Sequence, residues 1–437
     1  MLGSRAMRSR VLVVALVLSI HACGYPDPNP NRPSAPSEND PDFSAQGLDS
    51  WSLVGDAATP ARNQLTAIIT APGGTDYVDA YIPGLQPIRM IEQDGAFAMD
   101  VSIAALPVGA HEILFSANGS NKAFATHTLN RSAAYYVLVT TDYDFSDPGA
   151  NSLGYMDSLH TDHPDLVITH FWAPYTYTDT VVTEARRTVL DTWIKKQRDE
   201  QGDEIALHIH PWCHFVVSAG LTCITDQSTT MPSGDTSGYT IKLSAYGRAP
   251  MAQLFERAKT IFNERGLGTP VTFRAGGWTA SLDTLLALAD TGFIADTSAL
   301  NWARIEEWEG DELYTWNMEN WGPIDDTTQP YYPSMTSALT STPPTMRLLE
   351  VPDNGVMIDY VTTPEMIGLF TTNWDGTPFE TPRTLMMGFH PSPGLPNYEY
   401  RQVNDFLSHA DAHLASAGLG PVVYITLENV TAAFPAQ

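Results

Sequence analysis

Strand and helix patterns alternate from residue 133 to the end of the chain, and this alternation constrains the fold more than any other feature. Tyr135–Thr141 is a largely apolar run, which is typical of a strand buried on both faces. In Val182–Trp193 the apolar residues recur instead at helical spacing. Because repeated strand–helix units favour a parallel sheet, we predict an α/β fold, either a barrel or an open sheet. Further strands are predicted near residues 166–171, 204–208, 271–274, 293–296, 348–351, 385–390 and 422–427, and further helices near 254–262 and 406–414.

Residues 46–132 show a second pattern, in which short alternating strands are separated by Gly, Pro and Asn turns. Gln64–Ala71 alternates before a Pro-Gly-Gly turn, and the strand that begins at Gly109 ends in the turn dipeptide Asn118-Gly. Regular short strands of this kind predict a small β-sandwich, which resembles the immunoglobulin-like modules of bacterial surface proteins. It contains no catalytic constellation, so a spacer or a weak sugar binder are the two interpretations, and the spacer is favoured.

The N-terminus has the features of an export signal. A basic stretch precedes an apolar run at residues 11–20, which is too short to span a bilayer, so we predict a signal peptide at residues 1–22. Ile20–Gly24 resembles a bacterial lipobox, with Cys23 as the lipidated residue. Residues 23–45 are rich in Pro, Ser and Asn and predict an extended, disordered tether. We therefore expect an exported bacterial lipoprotein at the outer membrane, its periplasmic face or the cell surface, with release or an uncleaved anchor as alternatives.

The formal net charge of −27 excludes some partners. Nucleic-acid binding and electrostatic attachment to an anionic membrane both need clustered Lys and Arg, which such an acidic chain does not favour. We expect no nucleic-acid partner and interpret the acidity as solubility of an exported protein.

Two further cysteines, Cys213 and Cys223, stand ten positions apart. In the oxidising compartment that export implies, such a pair is a disulfide candidate. Two unpaired small apolar residues are the alternative interpretation.

Polar side chains that can carry chemistry stand at the ends of the predicted strands. In a parallel sheet these ends meet at one edge, where βα folds place their active sites. A single Asp in such a position is more often a helix cap, so the prediction of an active site rests on the set as a whole. The set comprises Asp142, Asp144, His208, His210, His214, Arg274, Asp296 and His390.

The repeat His208-Ile-His210 is the strongest single signal in this set. Its period of two places both imidazoles on one side of an extended segment. Two imidazoles and one carboxylate suit zinc or a similar divalent ion, so we predict a metal site at these strand ends. Non-haem iron oxygenases use the same ligand types, but they are usually built on a double-stranded β-helix, which the helical spacing here opposes.

The order and content of these segments resemble the polysaccharide deacetylase family, which includes chitin and peptidoglycan deacetylases. The resemblance covers residues 134–430 and implies that residues 133–437 form a distorted (β/α) barrel with fewer or less regular strands than eight. Asp-x-Asp and His-x-His-Pro-Trp forms are typical of a divergent branch. The matching segments are Thr-Thr-Asp-Tyr-Asp at 140–144, Glu-Ile-Ala-Leu-His-Ile-His-Pro-Trp at 204–212, Phe-Arg-Ala-Gly-Gly-Trp at 273–278 and Met-Gly-Phe-His at 387–390.

This resemblance implies a role for each matched residue. Asp142 matches the catalytic base, Arg274 the arginine that holds this base, and His390 the general acid. The backbone N–H of Gly277 falls where the family's oxyanion donor lies. Asp296, at another strand end, completes the predicted catalytic set.

The metal ligands follow the family pattern less closely. Asp144 matches the metal-binding aspartate and His208 the first metal histidine. The family's second metal histidine lies four positions after the first, where this chain has Trp212. His210 and His214 are the candidates to replace it, and His210 is favoured.

The resemblance implies hydrolysis of N-acetyl or O-acetyl groups on a cell-envelope or extracellular polysaccharide, with one divalent metal ion, most favourably zinc. A non-catalytic carbohydrate-binding surface lipoprotein on the same fold is the alternative. Binding alone needs neither acid nor base, so Asp142, Arg274 and His390 favour the enzyme. The aromatic stretch 302–344 indicates a long insertion at the rim, whose Trp and Tyr side chains either stack on sugar rings or pack in the core.

Overall fold

The computed structural model describes residues 31–226 and 235–436. The predicted signal peptide at residues 1–22 and the lipidation site Cys23 lie outside the described residues. Within the described ranges, no helix is both long enough and apolar enough to cross a membrane.

The described part of the predicted tether, residues 31–45, packs against the N-terminal strand module, so a free tether is the wrong prediction for this stretch. The backbone N–H of Ser34 donates to the carbonyl of Asn121 at 2.9 Å. The rings of Phe43 and Phe115 pack with centroids 5.7 Å apart. These contacts oppose the conformational entropy that favours a free chain.

The N-terminal module consists of two small sheets around one shared apolar core. Its strands are β1 (Ala45–Gln46), β2 (Trp51–Leu53), β3 (Gln64–Ile69), β4 (Val78–Tyr81), β5 (Ile88–Arg89), β6 (Ile91–Gln93), β7 (Ala96–Ser102), β8 (Gly109–Ala117) and β9 (Ala125–Ser132). The sheet orders are β1-β3-β7-β6 and β2-β9-β8-β4-β5. In β3 the alternate residues Leu65, Ala67 and Ile69 enter the shared core, as the period of two requires. The immunoglobulin-like character of the module stays a prediction.

A parallel sheet forms the second part of the chain, so the predicted α/β class is confirmed. Its strands are β10 (Tyr135–Asp142), β11 (Ile168–Trp172), β12 (Glu204–Ile209), β13 (Thr272–Ala275), β14 (Ala295–Asp296), β15 (Leu349–Glu350), β16 (Arg383–Phe389) and β17 (Val422–Tyr424). The order is β15-β14-β13-β12-β11-β10-β16, with every neighbouring pair parallel. Strand β17 pairs with the first three residues of β10, before β11 begins to pair.

Helices lie between these strands, and the last helix follows β17. They are α1 (Ala150–Asp162), α2 (Glu184–Lys196), α3 (Cys213–Ser218), α4 (Arg248–Arg265), α5 (Leu282–Asp290), α6 (Glu312–Trp321), α7 (Thr363–Asn373), α8 (Asn397–Asp411) and α9 (Leu427–Val430). Local sequence explains their ends: Thr362 and Glu365 form a capping box before α7, and Gly266 ends α4 in the left-handed conformation.

Residues 353–358 link the two edges of the sheet at its carboxyl end. The N–H of Asp353 donates to the carbonyl of Ala299 at 3.0 Å, and the N–H of Ile358 donates to the carbonyl of Gly388 at 2.8 Å. The sheet is thus a parallel half-barrel whose open side is crossed by this segment. All strand ends that carry predicted site residues face the same end of the barrel, as parallel pairing requires.

Candidate metal centre and active site

A cavity of about 140 Å³ opens at the carboxyl end of the parallel sheet. Acidic and imidazole side chains from strand ends form one part of its wall, and the segments between the strands supply the rest, most of it aromatic. The lining comprises Asp142, Asp144, His210, Tyr239, Thr240, Gly277, Trp278, Trp308, Leu313, Tyr360 and His390. The predicted base, the predicted acid and two predicted metal ligands therefore share one small space.

Asp144, His208 and His210 form a cluster in which one ligand atom from each residue lies within 4.8 Å of the others. Nε2 of His208 is 3.2 Å from Oδ1 of Asp144, and Nε2 of His210 is 3.3 Å from the same oxygen. His208 lies in β12 and His210 follows its last residue. The extended backbone therefore sends both imidazoles to one side, as their spacing predicts.

Backbone carbonyls hold both imidazoles through their other ring nitrogen. Nδ1 of His208 lies 3.1 Å from the carbonyl oxygen of Arg274, and Nδ1 of His210 lies 3.1 Å from that of Tyr239. A carbonyl oxygen only accepts, so each Nδ1 donates its proton, and this leaves Nε2 of each ring as the nitrogen that can offer a lone pair to a metal. Nε2 of His210 is buried and has no hydrogen-bond partner among the described residues. Two imidazole lone pairs and a carboxylate oxygen that face one another fit a divalent ion such as zinc.

The close packing of His210 explains the glycine that follows β13. A Cβ atom on Gly276 would lie 2.6 Å from Cγ of the His210 ring. Any larger residue there would have to displace the imidazole from the cluster. Glycine is needed at this position because of a close approach.

The surroundings of Asp144 favour its ionised form. Burial alone would raise the pKa of this carboxyl, but the imidazoles of His210 and His390, when protonated, hold that pKa well below its usual range. Oδ2 of Asp144 accepts a hydrogen bond from the hydroxyl of Tyr239 at 3.1 Å. Its backbone carbonyl accepts from the indole N–H of Trp212 at 3.1 Å. This ligand is therefore held through its side chain and its backbone.

His214 is not part of this cluster, which corrects its place among the candidate ligands. Its Nδ1 lies 2.8 Å from Oγ1 of Thr178, and its ring stacks on Trp212 with centroids 5.9 Å apart. Helix α3 begins at Cys213, so the helical turn carries His214 away from the direction of the extended strand end.

Cys213 and Cys223 are joined by a disulfide, with Cα atoms 5.1 Å apart. Cys213 lies three residues after His210 and is the first residue of α3. The bridge joins it to the loop that follows this helix. It therefore braces the chain segment that leaves the cluster of candidate ligands.

The carboxylate of Asp142 is held by a buried arginine. Nη1 of Arg274 donates to Oδ1 of Asp142 at 2.9 Å and to Oγ1 of Thr140 at 2.9 Å. Nη2 of Arg274 lies 3.1 Å from Oδ2 of Asp353, a second buried carboxylate. Burial raises the pKa of Asp353 to about 6, against the opposing effect of Arg274. One guanidinium thus orients Asp142 and faces two acidic groups.

His390 is paired with an acidic residue on its Nδ1 side, at 3.0 Å from Oδ2 of Asp359. Burial alone would lower the pKa of His390, but the carboxylates of Asp359, Asp144 and Asp142 outweigh burial and raise it to about 10. The imidazole is therefore protonated at neutral pH, as a general acid must be.

Gly277 lines the cavity, whereas Asp296 does not. Gly277 has a φ of 57°, and its carbonyl accepts a hydrogen bond from Nδ2 of Asn317 at 3.0 Å. Asp296 is fully buried, accepts from the hydroxyl of Ser298 at 2.9 Å and faces the buried Glu350. Burial raises the pKa of Asp296 above its usual value. The structure thus places Asp296 in a buried carboxyl pair.

Several residues of the site have no local signal in the sequence. Tyr239 and Asp359 stand in loops, and Asp353 follows the two-residue strand β15. The predicted insertion 302–344 supplies Trp308 to the cavity wall. Each of these residues reaches the site through contacts with distant parts of the chain, which a local pattern does not report.

Two interpretations were open for the aromatic residues of this insertion, stacking on sugar rings or packing in the core, and the residues differ in which one they fit. Trp308 lines the cavity. Trp321 is 1% exposed, and its indole N–H donates to the carbonyl of Trp278 at 3.1 Å, so core packing explains this residue.

No protein-family model matches the sequence, and no curated protein matches it. Among solved structures, the chain is similar to a family 4 carbohydrate esterase from Streptomyces lividans in complex with acetate. The identity is 11% and the TM-score 0.34, over 69% of this chain and 95% of that chain. It is similar to a family 4 acetyl xylan esterase from Clostridium thermocellum in complex with a cobalt ion. That match has 11% identity and a TM-score of 0.32, over 68% and 90% of the two chains.

A protein of another activity is similar to the chain at the same level. The 4-alpha-glucanotransferase from Thermococcus litoralis matches with 8% identity and a TM-score of 0.40, over 68% of this chain and 40% of that chain. Likenesses this weak leave the activity to be inferred from the residues of the site. Family 4 carbohydrate esterases are thus among the structures to which this chain is similar, at identities and TM-scores that by themselves assign no function.

Proposed function

We propose that this chain is a metal-dependent hydrolase that removes acetyl groups from an acetylated sugar of a cell-envelope or extracellular polysaccharide. One observation carries the proposal. A single small cavity is lined by two members of the three-residue ligand cluster, by a carboxylate that a buried arginine holds, and by a histidine paired with a carboxylate. Export through residues 1–22 and lipidation of Cys23, both part of this proposal, would bring the enzyme to such a substrate.

The ligand cluster would hold the ion through Oδ1 of Asp144 and Nε2 of His208 and His210. When bound at such a site, a divalent ion polarises a carbonyl group and lowers the pKa of water. Three protein ligands leave coordination positions open, as a catalytic site requires.

Asp142 lines the cavity but is not a member of the ligand cluster, so its carboxylate is available for proton transfer. We assign it the role of general base, which takes a proton from the attacking water. Arg274 fixes the orientation of this carboxylate through a hydrogen bond of 2.9 Å.

His390 carries the complementary role. Its protonated imidazole lines the same cavity and would deliver a proton to the leaving amine or alcohol. We assign the backbone N–H of Gly277, at the same cavity, the role of stabilising the negative charge that develops on the carbonyl oxygen.

The size of the cavity supports a small acyl group. A volume of about 140 Å³ admits an acetyl unit and water, while the sugar itself would lie at the aromatic rim that includes Trp308. A carbohydrate-binding protein without activity would need the rim, but not a base and an acid placed beside a ligand cluster.

Acetate release tests the proposal. We expect the purified protein to release acetate from acetylated chito-oligosaccharides, to lose this activity after dialysis against a strong chelator, and to regain it with Zn²⁺ or Co²⁺. Acetylated xylan in a parallel assay separates N- from O-deacetylation. Acetate release that is unchanged by complete metal removal would contradict the metal role. Sugar binding with no acetate from either substrate would support the non-catalytic alternative.

The pH profile should depend on Asp359. His390 acts as an acid only while protonated, and the charge of Asp359 is the largest effect that raises its pKa from 6.5 to about 10. In Asp359→Asn the pKa of His390 should fall, so kcat/KM should begin to decline at a lower pH than in the wild type. Profiles of kcat/KM across the alkaline range measure this shift, with Asp179→Asn, outside the cavity, as the control. An unmoved alkaline limb in Asp359→Asn would contradict the assignment of His390.

A further inference from the structure

Tyr239 contacts two of the three ligand residues. Its hydroxyl donates to Oδ2 of Asp144 at 3.1 Å, and its backbone carbonyl accepts from Nδ1 of His210 at 3.1 Å. Asp144 and Tyr239 are 95 positions apart in the chain, and His210 and Tyr239 are 29 apart. The residue therefore joins the ends of two separate strands at the metal cluster.

The ring of Tyr239 is clamped between other aromatic rings. It packs on His210 with centroids 4.5 Å apart, on Trp212 at 5.0 Å and on Phe145 at 5.0 Å. These contacts fix the plane of the ring, and so they fix the direction of its hydroxyl.

The backbone around Tyr239 is anchored to the segment that leaves β12. The N–H of Tyr239 donates to Oγ of Ser237 at 3.1 Å, and the carbonyl of Ser237 accepts from the N–H of Cys213 at 2.7 Å. Cys213 is itself held by the disulfide to Cys223. Ring, hydroxyl and carbonyl of Tyr239 thus have little freedom relative to the ligands.

We propose that Tyr239 is a positioning residue that makes Asp144 a one-oxygen metal ligand. The two oxygens of Asp144 have different partners: Oδ1 faces both imidazoles, and Oδ2 is held by the tyrosine hydroxyl. A carboxylate free to rotate can bind a metal through both oxygens, which would fill a coordination position needed for water or substrate. The hydroxyl of Tyr239 prevents this rotation. This inference rests on the proposed metal-dependent function.

Tyr239→Phe tests this role, because it removes the hydroxyl and keeps the clamped ring. We expect a loss of roughly 10–100-fold in Zn²⁺ affinity, which is typical when a group that orients a ligand is removed. Competition with a chromophoric chelator measures this affinity. We also expect the visible absorption bands of bound Co²⁺ to change, since they respond to the number and geometry of the ligands.

Tyr424→Phe is the matched control. Its hydroxyl donates to Oδ1 of Asp411 at 2.8 Å, which is the same type of bond outside the cavity. Zn²⁺ affinity and Co²⁺ spectrum should stay as in the wild type.

The outcomes separate the two proposals. A wild type that binds neither ion overturns the proposed function together with this inference. Wild-type affinity and spectrum in Tyr239→Phe overturn the inference alone and leave the function standing. Equal losses in Tyr239→Phe and Tyr424→Phe also overturn it, because the effect would then come from general destabilisation.

Discussion

Asp142→Asn should lower kcat for acetate release by roughly 10²–10⁴-fold, the usual contribution of a general base. An amide of the same shape cannot take a proton from water, although it can still accept a hydrogen bond from Arg274. Since Asp142 lies outside the cluster formed by Asp144, His208 and His210, the bound metal should remain.

Initial rates of acetate release at saturating substrate, with metal content determined on the same samples, measure this effect. Asp179→Asn is a suitable control, because Asp179 lies next to His214, away from the ligand cluster. Unchanged turnover in Asp142→Asn at full metal occupancy would exclude Asp142 as the base. A loss of metal in parallel with activity would instead place Asp142 among the ligands.

Arg274→Met should lower the free energy of unfolding by about 3–5 kcal/mol, because removing one partner of a buried ion pair leaves uncompensated charge. Arg274 is fully buried and faces the carboxylates of Asp142 and Asp353, which would both lose their cation. The free energy of unfolding should be measured at about pH 8. Burial raises the pKa of Asp353 to about 6 in the wild type, so this carboxyl is ionised at pH 8 and the loss of its cation is larger there than at a pH well below 6.

Equilibrium unfolding in urea, followed by tryptophan fluorescence, gives the required difference in free energy. The exposed pair of Arg248 with Asp290 provides the control, since Arg248→Met should cost only about 0–1 kcal/mol. The double variant Arg274→Met with Asp353→Asn should recover part of the loss. Equal stability of Arg274→Met and the wild type would contradict a charge-balancing role for the guanidinium.

Local pattern was sufficient for the fold class and for the edge at which the site lies. The apolar run of β10 and the helical spacing before β12 predict a parallel sheet, because backbone periodicity alone decides which faces are buried. Parallel strands bring their carboxyl ends together, so Asp142, His208 and Arg274 could be grouped before any contact was known. For residues 31–45 the prediction from composition was wrong. Pro and Ser indicated a disordered tether, whereas the segment packs on the first module.

The tertiary structure determined the other contacts of the site, because these contacts join residues that share no local sequence pattern. His210 and His214 are both imidazoles close to β12 in the sequence. Helix α3 begins at Cys213, and its backbone directs the side chain of His214 away from the cluster. Likewise, Tyr239 lies in a loop and meets Asp144 across 95 positions of chain.

The sequence by itself thus determined the α/β class, the edge of the sheet and most of the reactive side chains, since these depend on spacing within single elements. Which imidazole completes the cluster and which groups orient the acid, the base and the ligands were settled only by packing. Asp359 beside His390 and Asp353 beside Arg274 are set by distances between separate elements, on which the neighbouring residues in the chain have no influence.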